Sequence, residues 1–258
     1  MPLSRMKKVW DYCTYNKAFF LLILILFFSL NFIWDYVEWD SIAILIIFVL
    51  YNVIISGYGM SITRDRINEG YRLPKIHVKD IIIMGVKANI VFSVYFIVQY
   101  FILYLLCSPF DFPVFDLEEL LLELPQTVHM LFSHDPVSVF IFIIFGAVLF
   151  YVTTFFMEIA LAKLADTGGI KNAFDLKDIK RDIDLMGWRN YAKDYTRIII
   201  AILLFTYLQY VVIPIPILNY SWNIFLSLFV FATQFLGIGA VYSKIKNRKS
   251  HKSSSLEE

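Results

Sequence analysis

The sequence predicts an all-α, polytopic membrane protein: six transmembrane helices in a pseudo-repeated bundle, with amphipathic helices at the interface. Composition is the first observation. Of 258 residues, 59% are hydrophobic and 17% charged, where a soluble domain has about 45–50% and about 25%. Mean hydropathy is +0.66. The second observation is a set of six apolar runs near the roughly 20 residues that a helix needs to cross the hydrocarbon core. The third is charge placement. All 23 Lys and Arg residues lie before the first run, between the second and third with Lys87 just inside the third, between the fourth and fifth with Lys163 and Arg197 just inside those two, or after the sixth. A chain of this makeup is not disordered, collagen-like, a disulfide scaffold or a typical soluble enzyme.

The runs follow in order. The first, 18–34, has Arg5, Lys7, Lys8 and Lys17 ahead of it. It is long enough to span, and no small-x-small cleavage site follows, so it reads as a retained helix rather than a signal peptide. The second is 41–58. The third, 81–106, and the fourth, 137–165, are long enough to tilt or project. The fifth, 196–213, stops at Pro214 and Pro216. The sixth is 222–242. The connections free of Lys and Arg carry Asp35, Glu38, Asp40, Asp111, Asp116, Glu118, Glu119, Glu123 and Asp135 instead. Positive charge marks the cytoplasmic side, so both termini are expected there, in the plasma membrane. The expected division is a cytoplasmic segment 1–17, a six-helix domain 18–242 and a polar, basic tail 243–258. Its last stretch, SHKSSSLEE at 250–258, reads as disordered.

Two basic segments have similar layouts. The first, GYGMSITRDRINEGYRLPKIHVKD, joins the second run to the third. The second, ALAKLADTGGIKNAFDLKDIKRDIDLMGWRNYAKDYTR, joins the fourth to the fifth. Each continues a transmembrane helix, breaks at glycine and returns through an amphipathic stretch. Internal repeats of this kind are common in transporters, and simple duplication produces them as well. An interfacial helix is expected near 172–187. A second, external one is expected near 116–132, where Asp116 is placed to cap and Pro125 to break it.

The stretch GYGMSITRDRINEGYRLP at 57–74 carries a G-Y-x-x-x-I-x-R pattern, a glycine-containing acidic loop and then L-P. The stretch LAKLADTGGIKNAFDLKDIKR ends a helix, passes glycine and opens an amphipathic helix at Ala-Phe-Asp. Together they resemble a multi-pass archaeal membrane family catalogued as domain of unknown function 4013. That family is distantly similar to the membrane portions of some glycerophosphodiester phosphodiesterases. The resemblance covers roughly residues 15–245. It implies a multi-pass fold in an archaeal membrane and no particular reaction.

Several residues are candidates for chemistry. Asp175, Asp178 and Asp182 fall within about 60° of one another on a helix. A D-x-x-D-x-x-x-D spacing recurs where carboxylates hold Mg²⁺ against a diphosphate. Against it, Lys177, Lys180 and Arg181 are interleaved, and no second aspartate-rich motif exists. The other reading is an interfacial helix with apolar arc Leu176, Ile179, Ile183 and Met186. Lys87 and Glu158 lie at similar depth in the third and fourth runs, where an isolated charge costs about 2.5–3.5 kcal/mol. They read as a proton or ion relay, or as a structural pair that fixes helix register. Asn52, Asn89, Gln99, Gln209 and Gln234 read as a polar lining or as glue between helices. His129, His134 and Asp135, with Glu123 near, lack the spacing of a helical metal pair. Arg64, Arg66, Lys177, Lys180 and Arg181 are the cations expected to face anionic lipid headgroups.

No P-loop, G-x-S-x-G, H-E-x-x-H, C-x-x-C or D-G-x-x-A-R pattern occurs, and nothing points to nucleic acid or to a cofactor. The function expected is therefore association with lipids, other membrane proteins or further copies of the chain, without catalysis. A small transporter or channel is the alternative, and a Mg²⁺-dependent enzyme acting on a lipid diphosphate is a third.

Overall fold

A computed structural model describes residues 2–36, 42–107, 136–209, 211 and 215–254. Among them the regular secondary structure is entirely helical. In chain order the helices are α1 (Pro2–Thr14), α2 (Lys17–Tyr36), α3 (Ile42–Ile67), α4 (Val78–Cys107), α5 (Pro136–Thr167), α6 (Ile170–Ala173), α7 (Leu176–Met186), α8 (Trp188–Gln209) and α9 (Pro216–Ser254). The expected external helix near 116–132, with His129, His134, Asp135 and Glu123, lies outside the described residues. The chain divides into two compact units, one of Met1–Val91 with Glu158–Glu258 and one of Phe92–Met157.

Four helices contain stretches long and apolar enough to cross a membrane: Ile46–Ile67, Val78–Leu106, Ile143–Thr167 and Leu218–Ser250. They correspond to the second, third, fourth and sixth predicted runs. The first run coincides with α2. The fifth falls in α8, whose opening residues include Arg189, Lys193, Asp194 and Arg197, so its uncharged stretch starts only at Ile198. Burial separates the roles of the four. Two thirds (67%) of the α9 stretch is buried but only 22% of the α4 stretch. α9 is thus a core helix, packed mainly on α3 and α8. α4 carries Ile82, Ile83, Val86 and Ile90 exposed. Rows of bare aliphatic side chains like these are rare on a protein surrounded by water and ordinary on one surrounded by lipid.

In the larger unit, α3 and α4 approach backbone to backbone. A Cβ added at Gly57 would lie 1.9 Å from the Ile81 carbonyl oxygen, and one at Gly85 would lie 1.9 Å from that of Val53. Small residues permit such crossings between membrane helices. Polar side chains reinforce the same pairs. Asn89 Nδ2 donates to the carbonyls of Gly85 (2.8 Å) and Asn52 (3.3 Å). Gln209 Nε2 donates to Ser227 Oγ at 2.9 Å, joining α8 to α9. Two of the candidate lining residues therefore act as glue.

The two connecting segments differ. Residues 68–77 hold no helix, whereas the second segment folds into α6 and α7. α7 matches the amphipathic expectation at 172–187. Asp175 caps it by accepting from the Asp178 N–H at 3.0 Å, and Gly187, at φ 84°, ends it. Ile179, Ile183 and Met186 are buried as the arc requires, while Leu176 is exposed.

At the C-terminal end the structure differs from expectation, because residues 250–254 are helical, and at the N-terminal end it adds a helix. The N-terminal segment forms α1, with Trp10 stacked on Phe229 of α9 at 5.7 Å. Tyr12 donates its hydroxyl to Asp65 Oδ2 at 2.7 Å. At the other end α9 runs on to Ser254, because nearby carboxylates neutralise its cations. Lys246 meets Asp166 at 2.7 Å, Lys244 meets Asp194, and Arg248 Nη1 donates to the Met186 carbonyl at 2.8 Å, capping α7. These are contacts between elements remote in sequence, and tail composition alone does not show them.

Docking of α1 buries Cys13 to 1% exposure. Burial pushes its thiol up to about 12 from an ordinary 9.0. The fold favours the neutral thiol, so stability from this group is full below about pH 9 and is lost as pH rises toward 12. The thiolate is the reactive form. A maleimide at pH 7.5 should therefore label Cys13 at least about 100-fold more slowly in folded than in denatured protein. Fast labelling of the folded protein would mean that α1 does not stay docked.

Candidate functional site

A cleft of about 200 Å³ opens where α3, α4 and the end of α5 meet in the larger unit. From α3 it takes Met60, Ser61 and Arg64. From α4 it takes Asp80, Ile83, Met84 and Lys87, and Gly168 closes one side. The α4 residues follow an i, i+3, i+4, i+7 spacing, one face of a helix.

Both cations are held by the end of α5. The last carbonyls of a helix have no partners within it and draw positive charge. Gly168, left-handed at φ 70°, turns the chain away, and its N–H bonds to the Leu164 carbonyl at 2.8 Å. Arg64 Nε then donates to the Ala165 carbonyl at 2.9 Å, and Lys87 Nζ donates to that of Gly168 at 2.7 Å. Among the described residues no protein acceptor is bonded to either Arg64 Nη group. Ser61 donates to Gly57 O at 3.1 Å, leaving its oxygen as an acceptor.

A second cluster is built around Lys163, at 2% exposure. Its ammonium meets Asp178 and lies 3.4 Å from Asp182 Oδ2, while Lys249 reaches Asp182 Oδ1 at 2.5 Å. Asp182 is completely buried. Arg181 pairs with Asp178 on the other side. The cluster ties α5, α7 and α9 together.

The sequence candidates fall out as follows. Asp178 and Asp182 share Lys163, and Asp175 is engaged in capping α7. Among the described residues no three His, Cys, Asp or Glu groups converge as metal ligands. Lys177 and Lys180 are exposed on α7, and Arg66 donates to the Gly70 carbonyl at 3.2 Å. Lys87 and Glu158 are not brought together: Lys87 bonds to Gly168, about 15 Å further along the axis of α5 than Glu158. Glu158 is buried at 6% exposure. Stability losses from Lys87→Met and Glu158→Gln should add to within about 0.5 kcal/mol. A larger coupling in a double-mutant cycle would show that they pair after all. Asp80 and Ser61 were missed in sequence reading, although the α4 spacing was there to find.

Regular structure that is entirely helical among the described residues, with four helices long and apolar enough to cross a membrane, marks a helical membrane protein. More specifically, the chain belongs to the DUF4013 family, described as a protein of unknown function, which it matches over residues 41–218. Neither a curated protein nor a solved structure matches the chain.

Proposed function

We propose that the protein is a six-span, non-enzymatic protein of the plasma membrane, with both termini in the cytoplasm, that associates with phospholipids and through them with other membrane proteins or further copies of itself. In this reading α2 is the first span. Its 20 residues extend about 30 Å at 1.5 Å per residue, the thickness of the hydrocarbon core. α8 opens the fifth. The family resemblance suggests an archaeal membrane. The observation that carries the reading is the Arg64–Lys87 cleft. Two cations are fixed on the C-terminal end of one membrane-length helix, α5, and basic pockets between such helices receive lipid headgroups. Arg66, Lys177, Lys180 and Arg181 lie on the same side in this topology and add a diffuse attraction. The pairing of Asp178 and Asp182 with lysine favours a structural clamp over a magnesium site.

Native mass spectrometry of protein gently extracted from its own membranes tests this. Bound phospholipid, with or without a co-purifying protein, is the expected result. A lipid-free monomer overturns it.

One observation favours a second reading, a small transporter. Glu158 is a buried carboxylate within a membrane-length helix, and among the described residues it meets no cation. Such residues mark proton or ion paths. A proton- or solute-dependent flux in liposomes, lost in Glu158→Gln, would establish it, and absence of flux would dismiss it.

A further inference from the structure

We propose that the cleft between α3 and α4 binds one phospholipid by its headgroup, and that the lipid must carry a hydrogen-bond donor beyond its phosphodiester. This deepens the lipid reading above and rests on it. At about 200 Å³ the cleft is smaller than the roughly 300–1,000 Å³ of a small-molecule pocket. It admits a headgroup and leaves the lipid tails outside, towards the exposed Ile83 and Ile90 of α4.

The polar groups divide the work. Arg64 and Lys87 are already oriented by the carbonyls of Ala165 and Gly168, so little side-chain freedom is lost when a ligand arrives. The Arg64 Nη groups and the remaining Lys87 protons are donors suited to phosphate oxygens. Asp80 lines the same cleft and, ionised, can only accept. Next to a bare phosphate it would repel. Next to a headgroup bearing hydroxyl or primary amine it accepts a hydrogen bond, and the set of two cations and one carboxylate is then matched. A choline headgroup has no N–H or O–H and leaves Asp80 unmatched. Ile83 and Met84, between Asp80 and Lys87 on the α4 face, offer apolar surface to the glycerol backbone. Phosphatidylglycerol and phosphatidylethanolamine therefore bind, and phosphatidylcholine binds poorly.

The test is lipid retention by the full chain in detergent, read by native mass spectrometry after exchange with each of the three lipids. The wild type should retain phosphatidylglycerol and phosphatidylethanolamine at least roughly tenfold better than phosphatidylcholine. Asp80→Asn should remove that discrimination. Lys87→Met and Arg64→Gln should each weaken retention of all donor-bearing lipids at least roughly tenfold. Because Arg64 and Lys87 also cap α5, Asp80→Asn, at an exposed position, is the variant that decides if the others fail to fold. Discrimination that survives in Asp80→Asn overturns the site but leaves lipid association standing. Absence of bound lipid in the wild type overturns both. Inorganic phosphate or glycerol phosphate at millimolar concentration should not displace the lipid. Displacement would make a soluble phosphoester the ligand and overturn the lipid assignment.

Discussion

Gly85→Ala should destabilise the protein by about 1–3 kcal/mol or more, against helix propensity. In an unhindered helix the same change stabilises by about 1 kcal/mol, so the sign is diagnostic. The new methyl would sit 1.9 Å from the Val53 carbonyl oxygen and close to the Gly57 N–H at 3.1 Å. Both are backbone atoms, which cannot swing aside as a flexible side chain does, so α3 and α4 must separate. Overpacking of that kind costs about 1–3 kcal/mol, occasionally more. Separation also pulls Asn89 from the Asn52 carbonyl and opens the cleft that depends on the α3–α4 approach. Gly146→Ala is the control, because nothing lies within 4 Å of its added Cβ. Thermal unfolding in detergent should rank Gly85→Ala well below the wild type and Gly146→Ala at or above it. Equal behaviour of the two would mean that the close crossing is not present.

The second large effect is expected at Asp182. Asp182→Asn removes the one carboxylate that faces both Lys163 and Lys249, leaving the fully buried Lys163 to Asp178 alone. Removing one member of a buried ion pair typically costs about 3–5 kcal/mol. Asp178, itself partly exposed at 24%, still meets Lys163, so the expected cost is near the lower end, about 3 kcal/mol. Lys163→Met should cost a similar amount. The double variant should cost less than the sum by at least about 1 kcal/mol, because it no longer leaves a lone buried charge. Additive losses would mean that the two charges act separately and that α7 is not held to α5 through them.

How far the sequence discloses this arrangement depends on the range of the forces involved. Hydropathy over 20 residues is local, so the runs at 41–58, 81–106, 137–165 and 222–242 announce α3, α4, α5 and α9. The α7 face is local too: Ile179, Ile183 and Met186 repeat at helical spacing after a capping Asp175. α1 is harder to see. Its apolar Val9, Tyr12 and Cys13 stand among Lys7, Lys8 and Asp11, and its hydrogen bond reaches Asp65, 53 residues away. The helical tail is hidden for the same reason, since Lys246, Lys244 and Lys249 are neutralised by Asp166, Asp194 and Asp182 from three other helices. Spacing alone put Asp175, Asp178 and Asp182 on one stripe and did not show that lysines would reach two of them. The cleft was half legible. Asp80, Ile83, Met84 and Lys87 share a face by spacing, but only the Gly57–Gly85 crossing and the glycine turn after α5 bring Arg64 beside them.

The claim on which the functional account rests is a six-span chain whose basic surface faces the cytoplasm. Side-specific cysteine labelling tests it most directly. In a Cys13→Ser, Cys107→Ser background, Asn68→Cys, Lys177→Cys and Asn247→Cys should react with a membrane-impermeant maleimide only in inside-out vesicles. Glu38→Cys and Glu118→Cys should react in intact cells. Labelling of Asn68→Cys or Lys177→Cys from outside, or of Glu38→Cys and Glu118→Cys from opposite faces, would contradict the topology and with it the lipid-facing cleft.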